Sequence, residues 1–406
     1  LGDRRLAFVC CRIGGGVAVL ASVTNMMEAG PVRMAMIGGG PGSFIGPIHR
    51  MAARTDGDIT LVAAVPSRDP AKAAEGGRSM GLAPDRVYAD AFALLAGERA
   101  RPASERAEFV AIVTPNDSHA AHAIAALEAG FAVLCDKPMA RDLAEAQTVR
   151  RAVRDRPFGL TYTYLGYPLV EEARALVAAG ALGRLRRIDV RYTQGWLSDP
   201  VESTGNTQAA WRTDPVRAGI SGCLIDIGVH AQSLAEWVSG ERIVSVAADI
   251  RTAVPGRLLD DDAAMLIRTD RGTPGTLIAS QVATGDRNRL EVRLYGEAAG
   301  LAWAQEEPNA LWLTLGDAPP RRIECHAPAL TSALARQLLR TPAGHPEGYL
   351  EAFANLYGAF ARQVRGTASS GGLTVPDADH GVHSLAFVEA ALASSRANSC
   401  WTKVIA

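Results

Sequence analysis

Two kinds of hydrophobic patterning divide the chain. In its first part the apolar positions come in short continuous runs, at residues 34–37, 59–65, 109–113, 131–135 and 158–163. Continuous runs of this length predict strands buried on both faces. Between them lie stretches with helical spacing, over 44–53, up to about Met80, up to Ala129 and over 142–154. Strands alternating with helices predict a parallel, doubly wound sheet of the Rossmann kind. From about Gly183 the period changes to two. Residues 185–196, 243–250, 263–269, 276–282, 290–295 and 310–315 alternate apolar with polar. That predicts strands covered on one face, in an open and mainly antiparallel sheet. Residues 225–238 read as a helix crossing between the sheet and the first domain. Two more helical stretches, 348–366 and 377–396, are expected to pack back on the fold. The fold class is α/β with a C-terminal α+β domain. The expected divisions are an extension at 1–31, a first domain at 32–160, a second domain at 161–396 and a tail at 397–406.

Composition narrows the function classes. The chain has 406 residues, 48% hydrophobic and 21% charged, which is ordinary for a globular protein. The formal net charge is −1, and no Lys/Arg run suggests nucleic acid. No stretch looks transmembrane. The six cysteines show no C-x-x-C pair and no metal-ligand spacing, so reduced thiols, a cytoplasmic setting and no metal are expected. At the N-terminus Arg4, Arg5 and Arg12 precede an apolar stretch at 13–23. The favoured reading is an extension that is disordered or upstream of the native start. An export signal is the alternative.

Chemistry gathers at the strand ends. The run at 34–37 leads straight into Gly38, Gly39, Gly40 and Gly42, and then into helical spacing. Strand, glycine turn and helix form the context of a dinucleotide fingerprint, in which backbone N–H groups and a helix N-terminus face a pyrophosphate. Gly38 and Gly40 fit the first two glycines. Ser43 stands where the third is usual, and the next is Gly46, so a longer turn is expected. Pro41, Gly42, Ser43, Phe44 and Ile45 complete this candidate cradle. The second strand ends in Ser67 and Arg68, where an acidic residue normally binds the adenosine ribose. Arg68 suits adenine or a 2′-phosphate, so the cofactor is NAD with NADP as the alternative. Asp69 is expected to cap the next helix. The third strand ends in Thr114, Pro115 and Asn116, and the fourth in Asp136 and Lys137. All these lie where open parallel sheets bind ligands.

Lys137 forms a proton-handling trio with Asp226 and His230. The last two lie four apart, on one face of a helix. Oxidising an alcohol needs a base for the hydroxyl proton and a cation beside the developing alkoxide. His230 is expected to titrate near neutrality. Trp196, Trp211, Tyr164 and Tyr167 are candidates to stack on a sugar, although core packing explains any one of them.

Several motifs together resemble the Gfo/Idh/MocA oxidoreductases. They are Gly-Gly-Gly-Pro-Gly-Ser-Phe-Ile-Gly (38–46), Thr-Pro-Asn-Asp-Ser-His (114–119), Cys-Asp-Lys-Pro (135–138), Asp-Ile-Gly-Val-His (226–230) and Gly-His-Pro-Glu-Gly-Tyr (344–349). The resemblance spans nearly the whole chain and implies a nicotinamide cofactor. It implies a polyol or sugar substrate and a homo-oligomer, dimer or tetramer, assembled through the C-terminal sheet. It makes Lys137 and His230 the catalytic pair with Asp226 beside them. It places cofactor contacts on the strand-end residues and His119, and substrate contacts on Tyr164, Trp211, Arg212, Asp226 and His230. The 211–215 and 344–349 segments look most like inositol-, L-glucose- and levoglucosan-type dehydrogenases. Asp136 stands where Glu is more common, and Tyr162-Thr163-Tyr164 where His-Asn-Tyr is frequent. Val229 replaces a frequent Thr. Two other readings use the same residues: an NAD-dependent glycosidase working by oxidation and elimination, and a non-catalytic NAD(P)-sensing protein.

Overall fold

The computed structural model describes residues 30–326 and 330–406. Of the expected N-terminal extension at 1–31, with its alternative as an export signal, residues 1–29 lie outside the described part.

The first sheet grows from the continuous apolar runs. Strands and helices alternate as β1 (Val32–Gly38), α1 (Ile45–Arg54), β2 (Ile59–Val65), α2 (Pro70–Ser79), α3 (Ala91–Ala100), β3 (Phe109–Val113), α4 (His119–Glu128), β4 (Ala132–Cys135), α5 (Leu143–Ala152) and β5 (Phe158–Leu160). The five strands are parallel in the order β2-β1-β3-β4-β5. The order reverses between β1 and β3, which opens a crevice beyond their carboxyl ends. Gly38 and Val113 pair across that point.

The chain continues through α6 (Pro168–Ala178), β6 (Leu185–Thr193), α7 (Thr207–Arg212), α8 (Pro215–Ala218), α9 (Val229–Ser239), β7 (Ile243–Arg251), β8 (Asp262–Thr269), β9 (Pro274–Ser280), β10 (Arg289–Gly296), β11 (Ala299–Ala304), β12 (Ala310–Leu315) and β13 (Arg321–Glu324). It closes with α10 (Ala333–Gln337), α11 (Tyr349–Val364), α12 (Ala378–Arg396) and β14 (Thr402–Lys403). The second sheet has nine strands in the order β13-β12-β11-β10-β6-β9-β8-β7-β14. All its pairs are antiparallel except β6 with β9, at the centre. The period-two pattern is visible in β8, where buried and outward positions alternate along the strand. Helices α6, α9 and α12 cover the inner face. The outer face carries exposed Leu266, Ile278, Tyr295 and Trp312 among the ion pairs Arg187–Asp189 and Arg191–Glu291.

The late helices do return to the fold. Helix α11 packs on α1, and its Phe353, Tyr357 and Phe360 join Met34, Met36 and Phe109 in one core beneath the parallel sheet. Phe109 meets Phe360 edge-on, with ring centroids 5.4 Å apart. Helix α12 packs against both α5 and β7, and so touches both halves. Pro376 just before it accepts a hydrogen bond from Leu160 N at the edge strand β5 (2.8 Å). Residues 32–406 form one compact unit. Among the described residues, no helix is long and apolar enough to cross a membrane.

Candidate active site

The crevice at the β1/β3 switch point widens into a cavity of about 1000 Å³ between the two sheets. Its floor is the glycine turn. Gly38, Gly39 and Gly42 have φ of +90°, +72° and +82°, a region that L side chains avoid. A Cβ on Gly40 would lie 2.1 Å from the Pro66 carbonyl oxygen, so only glycine lets β1 and β2 end this close. The turn is longer than the usual fingerprint, and Gly46 takes the missing third place. It sits in the first turn of α1, where a Cβ would come 2.3 Å from Gly39 Cα. The Ser43 hydroxyl oxygen accepts a hydrogen bond from Gly46 N (3.1 Å) and stabilises the helix start. The turn and the start of α1 leave a cradle open to the cavity, lined by Gly38, Gly40, Pro41, Gly42, Ser43, Phe44 and Ile45. Phe44 is 65% exposed there. This cradle fits the pyrophosphate of a dinucleotide.

The other strand ends reach the same cavity. Ser67, Thr114, Pro115, Asn116, Asp136 and Lys137 all line it. Arg68 and His119 do not. Arg68 is exposed at the end of β2, and Asp69 caps α2 by accepting from Lys72 N (2.9 Å). His119 is buried and braces two strand ends from behind. Its Nδ1 lies 2.6 Å from the Pro138 carbonyl and its Nε2 lies 2.7 Å from the Thr114 carbonyl. Asn116 ties the β3 end to the second half, donating from Nδ2 to the Ala218 carbonyl (2.9 Å).

Asp136 is wholly engaged. Its Oδ1 accepts from Lys137 N (2.9 Å) and Thr161 Oγ1 (2.7 Å), and its Oδ2 faces His49 Nε2 at 3.8 Å. Burial alone would raise its carboxyl, but His49, Lys137 and His119 outweigh that and hold it below the usual carboxylate range. The carboxylate thus fixes the backbone that presents Lys137.

Lys137, Asp226 and His230 line one cavity, where Lys137 pairs with Asp226. Lys137 Nζ donates to Asp226 Oδ1 (2.9 Å) and to the Asp226 carbonyl (2.6 Å). Asp226 Oδ2 accepts from Arg212 Nε (3.0 Å) and Gln281 Nε2 (2.9 Å). Burial pushes the Asp226 carboxyl up, yet Lys137, Arg212 and these hydrogen bonds carry it well below the ordinary range. Asp226 is a bridging anion between two cations. No hydrogen bond joins it to His230 among the described residues.

Local backbone explains the arrangement. Leu224–Gly228 is a single π-helical turn that runs into α9. Such turns recur at functional sites. It turns Asp226 toward Lys137 while His230, on α9, faces the cavity beside it. Asp260 caps the start of the turn by accepting from Gly222 N (2.9 Å) and Leu224 N (3.1 Å).

His230 is 8% exposed and surrounded by the rings of Tyr162, Tyr164 and Tyr192, at centroid distances of 5.6, 4.9 and 6.0 Å. Burial first, and Lys137 second, push its pKa down to about 3. The expectation of titration near neutrality is thereby corrected: burial keeps the imidazole neutral.

Tyr164, Trp211 and Arg212 line the cavity as well. Arg212 Nη1 donates to Gln208 Oε1 (2.9 Å), and its guanidinium lies 4.1 Å over the Trp211 ring. Sequence reasoning missed Tyr192, Gln194 and Asn288 in the wall, and Gln281 on Asp226. Tyr192 donates to Asn288 Oδ1 (2.7 Å), as does Gln194 Nε2 (2.7 Å), while Gln281 reaches Asp226. The signal was present in part. Tyr192, Gln194 and Trp196 alternate at the end of β6, a polar set on a face expected to be apolar.

Comparison with known proteins agrees with this geometry. Residues 32–163 match an oxidoreductase family with an NAD-binding Rossmann fold, and residues 170–302 match the GFO/IDH/MocA C-terminal domain. An inositol dehydrogenase homolog from Azotobacter vinelandii, solved with NAD+, is 36% identical with a TM-score of 0.88. The match covers 92% of this chain and 98% of that one. Levoglucosan dehydrogenase, solved with NADH and levoglucosan, is 25% identical with a TM-score of 0.79, over 92% of this chain and 99% of that one. The oxidoreductase YfiI of Bacillus subtilis is 29% identical, over 92% of this chain and 97% of its own length. The chain belongs to the Gfo/Idh/MocA family of NAD-binding oxidoreductases.

Proposed function

We propose that this chain is an NAD(P)-dependent dehydrogenase that oxidises a ring hydroxyl of a cyclic polyol or sugar to a ketone. The substrate class takes in inositols, hexoses, anhydrosugars and glycosides. The observation that carries the reading is Lys137, held on Asp226 at 2.9 Å in a cavity that it shares with a neutral His230 and the glycine cradle. Relatives solved with NAD+, and with NADH and levoglucosan, support the cofactor and the substrate class.

A nicotinamide bound in this cavity supplies the hydride acceptor. Residues 38–45 would hold the pyrophosphate of the dinucleotide, and Ser67 and Thr114–Asn116 its flanking groups, while Arg68 stays outside the cavity lining. The chain's own residues handle the proton. His230 is unprotonated and its ring faces the cavity, so it receives the hydroxyl proton as the alkoxide develops. Lys137, fixed by Asp226, donates to the same oxygen and stabilises its negative charge. Asp226 acts through Lys137, and Arg212 acts through Asp226. The tyrosine cage excludes water from His230. We assign a cytoplasmic location on the unpaired Cys135, Cys223, Cys325 and Cys400. We assign a homo-oligomer to the apolar positions on the outer sheet face. Light scattering on the purified protein tests the second.

The central test is a reduction screen. Absorbance of the reduced nicotinamide is followed with both cofactors against inositols, hexoses, anhydrosugars and glycosides. Turnover that disappears in Lys137→Ala, with cofactor binding retained, is the expected result. Cofactor binding without turnover of any polyol would sink the reading.

A further inference from the structure

The cavity does not stop at Lys137 and His230. It continues toward solvent under the segment after β6, where Trp196, Asn206, Thr207, Gln208 and Trp211 line it. The polar groups of its two ends are spent differently. Deep in the site, Tyr164, Tyr192, Gln194 and Asn288 hydrogen-bond to one another. At the mouth, Asn206 uses only its oxygen, which accepts from Gln208 N (3.0 Å) and Ala209 N (3.1 Å) and caps α7. Gln208 also uses only its oxygen, which accepts from Arg212 Nη1 (2.9 Å) and Trp211 Nε1 (3.4 Å). Neither amide nitrogen has a hydrogen-bond partner among the described residues. Each carbonyl end is tied down, so the direction of each NH₂ is set before any ligand arrives. That lowers the entropy lost on binding.

The charge of this outer region is fully committed. Arg212 is spent on Asp226 and Gln208. Arg217, the other arginine of the cavity wall, lies beside Asp117 at the turn after β3 (3.7 Å). Lys137 is held by Asp226. A phosphate or carboxylate at the mouth would meet neutral donors and no uncommitted cation, whereas anions are best held by charge-assisted bonds. A neutral hydroxylated ring suits the place better. Its oxygens accept from the two NH₂ groups, and its C–H face lies on indole.

We infer that the outer cavity is a second sugar subsite and that the substrate is a glycoside. The ring to be oxidised lies at His230 and Lys137. A second ring, joined to it by a glycosidic bond, lies among Asn206, Gln208, Trp196 and Trp211. This rests on the dehydrogenase reading above and narrows its substrate class.

Initial rates on the full chain with NAD and NADP test it. The panel holds glucose, galactose, their 1,6-anhydro forms, their methyl glycosides, their α- and β-linked disaccharides, their 6-phosphates and myo-inositol. The best disaccharide is expected to exceed its parent monosaccharide in kcat/KM by about tenfold, the size that one or two neutral hydrogen bonds supply. A monosaccharide, inositol or sugar phosphate that equals the best disaccharide overturns the subsite and leaves the dehydrogenase standing. No turnover of any panel member overturns both. Two near-isosteric variants sharpen the result. Asn206→Asp and Gln208→Glu keep the oxygens that cap α7 and hold Arg212, and replace each idle NH₂ donor with an anionic oxygen that can only accept. Each is expected to raise KM for the disaccharide about fivefold more than for the monosaccharide. Equal rises on both substrates would count against the subsite.

Discussion

Lys137 grips Asp226 at two points, the carboxylate oxygen at 2.9 Å and the backbone carbonyl at 2.6 Å, so its ammonium group is anchored to the chain as well as to a charge. The carboxylate is needed for a second reason, since Arg212 sits on its other oxygen at 3.0 Å. Asp226→Asn keeps the shape but leaves two cations facing across a neutral amide. The expected loss in kcat is about 100-fold, the scale of a misplaced catalytic group, with cofactor affinity unchanged. Steady-state rates and a cofactor fluorescence titration measure the two quantities. A variant with normal kcat would remove Asp226 from the positioning of Lys137.

The pH profile follows from His230. Its pKa in the free protein is pushed to about 3, so it is already neutral throughout the range in which rates are measured. The profile of kcat/KM reports groups of the free enzyme. It is therefore expected to lack an acid limb near 6.5. A limb at that position, abolished in His230→Gln, would show that the cage is more open to water than the rings of Tyr162, Tyr164 and Tyr192 imply.

Stability carries the same signature with a definite sign. The folded pKa of His230 lies below its ordinary value of 6.5, so between 6.5 and about 3 the unfolded chain holds a proton that the folded chain does not. Its contribution is complete above 6.5 and is lost as pH falls through that window, by roughly 1.4 kcal/mol per pH unit. Asp136 and Asp226 are shifted below the carboxylate range, so their contribution is complete above their ordinary value of 3.8 and is lost from there downward, overlapping only the lower end of the window. Urea midpoints measured across the window are expected to fall less steeply in His230→Gln than in the natural chain. Parallel slopes would place the acid sensitivity elsewhere.

The glycine turn makes a graded prediction. A methyl on Gly40 would meet the Pro66 carbonyl, and one on Gly46 would meet Gly39. Either forces backbone to move, with an expected cost of about 1–3 kcal/mol and weakened cofactor binding. A methyl on Gly42 meets nothing within 4 Å. Gly42→Ala carries only the strain of a positive φ, about 1 kcal/mol. Thermal melts and cofactor titrations of the three alanine variants give the order. Gly42→Ala as the worst of them would contradict the packing account.

The change of period near Gly183 made both sheets legible, because burial on two faces or one leaves different marks on a strand. Strand direction leaves no such mark, so the parallel pairing of β6 with β9 could not be foreseen. Helix α6 was missed because it is buried nearly all round and shows no polar stripe. Its Glu172 is fully buried, accepting from Thr331 N and Ser332 N (2.8 and 2.9 Å). Strand β11 was missed because Ala-Gly-Leu-Ala-Trp-Ala offers little contrast between its faces. At the site, the strand-end motifs were readable because each is local. Gln281 and Asn288 were not, since only the pairing of β6 with β9 and β10 brings them beside Asp226 and Tyr192. The run Asp260-Asp261-Asp262 has the look of a solvated loop. Instead Asp260 caps the turn that carries Asp226, and Asp261 is 2% exposed and paired with Arg257 (3.1 Å).

Helix α11 has a consequence for synthesis of the chain. It supplies the cover for one face of the parallel sheet, where Met34, Met36, Phe109 and Leu134 share a core with Phe353, Leu356 and Phe360. Domains commonly fold as they leave the ribosome, the N-terminal one first. Here the half that is made first stays bare on one side until the helix near the other end emerges. A nascent chain halted before Tyr349 would present that apolar face to chaperones or to its neighbours. The nucleotide-binding half is the first to be translated and among the last to be completed.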